Sequence, residues 1–154
     1  MTIQDKIAHV NDLAKGFKIH LATRAQLRLL ALAFGHDELW QASKHSRGTS
    51  LPKLRTIFTE PVTDDATYAI TLHEMGHIVA PNGHLYQEKD RATSEAQWMR
   101  LTIIEEEAAW AWARYQALEW TPAMDEAKRT ALDSYQRGLE RAMARDPRVV
   151  DWAA

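Results

Sequence analysis

The chain has 154 residues, 45% of them hydrophobic, and a formal charge of −2. That suits one globular domain, residues 1–154, and gives no global charge to attract nucleic acid or an anionic membrane. There is no cysteine, which excludes disulfides, thiolate metal sites and a cysteine nucleophile and leaves His, Asp and Glu to build any strong metal site. The charged N-terminus lacks a signal-peptide core and no segment approaches the ~20 apolar residues of a membrane span, so a cytoplasmic protein is expected.

Ile3, Ile7, Val10 and Ala14 are spaced for one face of a helix over residues 2–15. Phe17 to Leu21 alternates apolar and polar, the period of a strand. Thr23 is placed to cap a second helix through Leu27, Leu30 and Phe34, with Gly35 ending or bending it before Trp40. Ser43 to Ser50 has the composition of a loop. Leu54 to Glu60 is rich in β-formers and is closed by Pro61, which suits an edge or terminal strand, the kind that can take up a peptide by β-augmentation. Thr63, followed by Asp64 and Asp65, predicts the start of a helix, and Pro81-Asn82-Gly83 its end.

A long helix is predicted from Ser94 to Trp120. Four of the six tryptophans, Trp98, Trp110, Trp112 and Trp120, lie there and predict that it is large and well buried. Thr121-Pro122 then starts a last helix through Leu132, Tyr135, Leu139 and Met143, and Asp146-Pro147 stops it. The order helix, strand, helix, strand and three helices predicts an α+β, predominantly helical domain.

The third of these helices carries His73-Glu74-Met75-Gly76-His77. Histidines four residues apart project from one face about a turn apart, so both imidazoles can address one ion. Glu74 lies about 100° round the helix, within reach of a water on that ion but outside the ligand set, and its expected role is general base. Catalytic zinc usually has three protein ligands and a water. His84 is a weak third candidate, because a metzincin has Gly three and His six residues after the second histidine, where this chain has Ala80 and Gly83.

Glu105-Glu106-Glu107 is the stronger source. Acids in so apolar a helix need a partner. Projection places Glu105 among Trp98, Leu101, Ala108, Ala109 and Trp112, the stripe expected to face the core. Glu106 lies beside Met99, Ile103, Trp110 and Ala113 and stays open as the alternative, whereas Glu107, between Arg100 and Arg114, reads as a surface residue.

These residues resemble the gluzincins, and within them the ImmA/IrrE-like metallopeptidases. In that family a strand precedes a helix bearing His-Glu-x-Gly-His, and a later helix carries Glu-x-Glu-Ala-Asn. The resemblance covers roughly Thr56 to Ala113, with Ala109 standing where Asn is usual. It implies a small zincin-like domain, one Zn2+ on His73, His77 and Glu105, and a zinc metalloendopeptidase of narrow, regulatory specificity. The implied substrate is a protein such as a DNA-binding repressor; the chain shows no helix-turn-helix of its own. The alternative is a non-catalytic zincin-fold protein that binds a partner. His84, Tyr86, Tyr68 and Tyr115 are the conceivable donors to an oxyanion.

Overall fold

A computed structural model describes residues 1–33, 47–80 and 88–145. The elements are α1 (Ile3–Gly16), β1 (His20–Ala22), α2 (Arg24–Ala33), β2 (Gly48–Leu51), a 3-10 turn (Pro52–Leu54), β3 (Thr56–Thr59), α3 (Asp65–Val79), α4 (Glu95–Gln116) and α5 (Pro122–Arg145). The chain is α+β and mostly helical, as its sequence predicts. No described helix is long and apolar enough to cross a membrane.

Local signals set most of the helix ends. Thr2 and Asp5 form a capping box that opens α1, and Ser94 caps α4 by accepting from the Gln97 N–H. Asp64, rather than Thr63, caps α3: its carboxylate accepts from the Thr67 N–H, and the Thr67 hydroxyl lies against the Thr63 and Asp64 backbone. Helix α4 stops four residues before Trp120. Of its tryptophans Trp110 is buried and Trp98 is 43% exposed, so the helix is buried along one stripe only. The predicted ends at Phe34–Trp40, Pro81–Gly83 and Asp146-Pro147 lie outside the described residues.

The sheet departs most from expectation. Its order is β1-β3-β2, with β1 parallel and β2 antiparallel to β3. The predicted edge strand is therefore the central one, shortened because Leu54 belongs to the 3-10 turn and Arg55 takes φ 45°. Pro61 lies two residues beyond Thr59, the last residue of β3, and so does not disturb pairing. β2 occupies residues expected to be loop. Gly48-Thr49-Ser50-Leu51 has almost no apolar pattern, and its extended form comes from its ladder to Thr56–Thr59. β1 begins at His20, since Phe17 still bonds back to Leu13 and Lys18 turns out of α1 at φ 55°.

Helix α3 is central. It is buried from Thr67 to Gly76 except at Ile70, with no polar face, as expected of a helix enclosed on all sides. It meets the sheet through β2 and β3, while α1, α4 and α5 close round it. Tyr68, Leu72 and Met75 pack with Val10, Ile57, Trp110, Ala113 and Met124 to form the core. The Thr71 and Thr59 hydroxyls, 3.1 Å apart, tie α3 to β3.

Candidate metal centre

Gly76 sets the spacing of α3 and α4. A Cβ placed on it would lie 2.5 Å from the backbone oxygen of Ala109, so the two helices meet backbone to backbone where both residues are small. Ala109 is fully buried at this crossing. Glu106, three residues earlier on α4, is turned toward the face of α3 that carries His73 and His77.

The resulting contacts are short. His73 Nε2 donates to Glu106 Oε2 at 2.8 Å, and His77 Nε2 lies 3.2 Å from Glu106 Oε1. One buried carboxylate thus spans both imidazoles, whose ring centroids are 4.5 Å apart. His73 is stacked on Trp110 at 4.2 Å and an interplanar angle of 18°, which fixes its ring plane. Glu74 reaches the other side of that imidazole, its Oε1 3.4 Å from His73 Nδ1. The ligand atoms of His73, Glu74 and His77 lie within 4.8 Å of one another, so this group could hold a metal ion.

Of the two glutamates weighed from the sequence it is Glu106 that meets both histidines, while Glu105 accepts from Lys89 Nζ at 2.9 Å, and Lys89 also stands over the Trp98 ring. Projection expected the stripe through Trp98 to face the core, but Trp98 is exposed, whereas Trp110, one turn after Glu106, is buried and stacks on His73. Ala109, at the Gly76 crossing, lies within a turn of both glutamates. Both glutamates are buried, so burial alone does not distinguish them.

Charge follows the contacts. Burial disfavours the His73 imidazolium, but Glu106 and then Glu74 outweigh it and raise the group to about 9. Burial likewise opposes ionisation of Glu106, and the two histidines reverse that and hold it at about 2. The place between the imidazoles and Glu106 therefore favours positive charge.

The other sequence candidates separate. Tyr68 is fully buried in the core, where its hydroxyl bonds His9 Nδ1 at 2.7 Å and accepts from the Leu118 N–H. Tyr115 is 86% exposed. His84 and Tyr86 lie outside the described residues. The residue that sequence reasoning missed is Tyr135 of α5. It lines one cavity of about 550 Å³ with His73, Glu74 and Glu106. Burial, and then the charge of Glu106 and a hydrogen bond to it, push its phenol upward, with Glu74 adding to the effect, so it stays protonated and able to donate. In the sequence Tyr135 looks like any aromatic on a helix face.

β2 borders the same site. A Cβ at Gly48 would come within 2.8 Å of Glu74 Cγ, so the first residue of the strand passes directly over the proposed base. The outer edge of β2 carries no further strand among the described residues. Comparison of the chain with known protein families, curated proteins and solved structures gives no match.

Proposed function

We propose that this chain is a zinc-dependent peptidase whose ligands are His73, His77 and Glu106 and whose general base is Glu74. The observation that carries this reading is the single Glu106 carboxylate meeting the Nε2 atoms of both histidines, with a second carboxylate, Glu74, on the same cavity. The donor types suit the ion: two imidazole nitrogens and a carboxylate, with His73 Nε2 2.8 Å from Glu106 Oε2 and His77 Nε2 3.2 Å from Glu106 Oε1. Two nitrogens and one oxygen also leave a fourth position open, as in a catalytic site rather than a structural one.

A zinc ion bound there would supply a polarised carbonyl and a water acidic enough to ionise near neutral pH. The rest falls to the protein. Glu74 takes the proton of the attacking water and delivers it to the leaving amine. Tyr135 offers its hydroxyl to the oxygen on which negative charge develops. The outer edge of β2, unpaired among the described residues, would align an extended peptide across Glu74 by backbone pairing, in place of the expected β3. Trp110 holds His73 in plane. A protein substrate of regulatory character, such as a DNA-binding repressor, is part of this proposal on the strength of the family resemblance.

Glu74→Gln tests the mechanism. The variant keeps zinc in equimolar amount and loses cleavage of a peptide library by a factor of about 10²–10⁴; a variant with full activity refutes the role of Glu74. Wild-type protein that binds zinc yet cleaves no peptide points to the partner-binding alternative.

A further inference from the structure

A second cavity lies away from the candidate metal centre, at the C-terminal ends of the two parallel strands. β1 and β3 run side by side from His20 and Thr56 to Ala22 and Phe58 and then part, β1 leading into α2 and β3 into α3. The two helices leave toward opposite faces of the sheet. Ile57 and Phe58, neighbours on β3, point to opposite sides. Ile57 packs in the core with Tyr68 and Leu72 of α3, whereas the Phe58 ring lies under the guanidinium of Arg24, the first residue of α2, at 4.9 Å. Strands that part in this way leave a crevice beyond their carboxyl ends, the place where open sheets with parallel strands bind ligands. Here the crevice measures about 560 Å³ and is walled by the ends of both strands, by Ile7, Val10 and Asn11 from one face of α1, and by Thr71 of α3. Thr71 and His73 stand about 200° apart round α3, so the crevice and the metal centre occupy opposite sides of the same helix.

The lining is apolar apart from one uncompensated charge. Val10, Leu21, Ile57, Phe58 and Val62 supply hydrocarbon surface. Glu60, the acidic residue of the lining, is bound by Arg47 at 3.0 Å. Arg24, the basic one, pairs with no carboxylate among the described residues; Phe58 fixes the plane of its guanidinium and leaves its N–H fork to a ligand. We propose that the crevice binds a small organic acid, with one carboxylate on Arg24 and a branched or aromatic hydrocarbon body against Val10, Ile57 and Phe58. The volume lies within the roughly 300–1,000 Å³ of pockets that enclose such ligands. A ligand that fills it covers Arg24, and a guanidinium taken out of water needs an anion beside it. A carboxylate matches that single charge, whereas a doubly charged phosphate would leave one charge unmatched next to Glu60. This site needs no metal and stands apart from the peptidase reading.

The test uses hydrocinnamate and isocaproate, their primary amides, and acetate. Each is titrated into the isotope-labelled full chain and followed by calorimetry and amide NMR shifts. Chelator keeps the protein metal-free, so that no carboxylate can meet an ion at His73 and His77. The two acids bind saturably, about tenfold or more tightly than the amides, which lack the charge, and than acetate, which lacks the apolar body. The shifts centre on Asn11, Arg24 and Val62. Arg24→Gln, at an exposed position, brings the acids down to the affinity of the amides while the protein melts as before. Asn11→Trp, also at an exposed position on the rim, obstructs the crevice and weakens acids and amides alike, about tenfold. Acids that bind no better than amides, affinity that survives Arg24→Gln, shifts centred on His73 and Glu106, or no saturable binding at millimolar concentration overturns the proposal.

Discussion

Gly76→Ala adds a single methyl group where α3 and α4 meet backbone to backbone. The new Cβ would stand 2.5 Å from the Ala109 oxygen, whereas ordinary contact begins near 3.4 Å, so α3 and α4 must part locally by about 0.9 Å. The obstacle is backbone, which cannot rotate aside. Overpacking of this kind costs about 1–3 kcal/mol, offset by the roughly 0.5–1 kcal/mol by which alanine favours a helix over glycine. A net loss of about 1–2 kcal/mol lowers the melting temperature of a domain this size by roughly 2–8 °C. The larger effect is on the metal. Glu106 lies one turn from Ala109 and moves with it, and a displacement approaching 0.9 Å far exceeds the ~0.2 Å tolerance of a zinc ligand. Zinc affinity, measured by competition with a chromogenic chelator, should fall at least 10–100-fold, while circular dichroism of the metal-free protein still shows a cooperative helical fold. An unchanged or raised melting temperature would refute the close approach. A destabilised variant with wild-type zinc affinity would refute the dependence of the ligand set on that crossing.

Glu106→Ala should abolish stoichiometric zinc in metal analysis, whereas Glu105→Ala, which removes only the partner of Lys89, should retain it; the reverse pattern restores the assignment first suggested by the sequence. Tyr135→Phe should keep zinc and fold and lower kcat about 10²–10³-fold with little change in KM, and an unchanged kcat would remove Tyr135 from the reaction. Lys6 is buried at 2% exposure with Asp65 and Glu119 on its ammonium. Burial opposes its charge, but these two carboxylates outweigh that and raise it above 10.5, while Lys6 and then Thr121 lower Asp65 below 3.8. The raised lysine contributes stability that is complete below pH 10.5 and lost as pH climbs through its folded value. The depressed aspartate contributes stability present above pH 3.8 and lost as pH falls through its folded value. Lys6→Met should therefore cost about 1–3 kcal/mol on the neutral plateau and less at both extremes, and thermal melts showing a pH-independent difference would contradict the ion-pair account.

The sequence showed the helices and the histidine pair because those depend on local spacing and caps. Thr2, Asp64 and Ser94 mark helix starts through bonds made within four residues, and His73 and His77 need only one turn of α3 to come together. What stayed hidden depends on contacts between distant segments. β2 has no strand pattern because its form is imposed by β3, and β3 could not be recognised as central until β2 was in place. The choice between Glu105 and Glu106 turns on a rotation of α4 that shows only in the long-range stacking of Trp110 on His73. Tyr135 carries no mark at all; it joins the cavity because α5 runs alongside α3.

Lys6 has a mechanical consequence beyond its charge. Asp65 starts α3, Glu119 and Thr121 precede the start of α5, and the buried ammonium from α1 is riveted between them, 2.7 Å from Glu119 and in contact with Asp65. The histidines lie two turns further along and are held separately by Glu106 and Trp110. Strain applied to the N-terminal helix would therefore reach the start of α3 before it reached the two histidines, so the two ends of α3 hang on different fasteners.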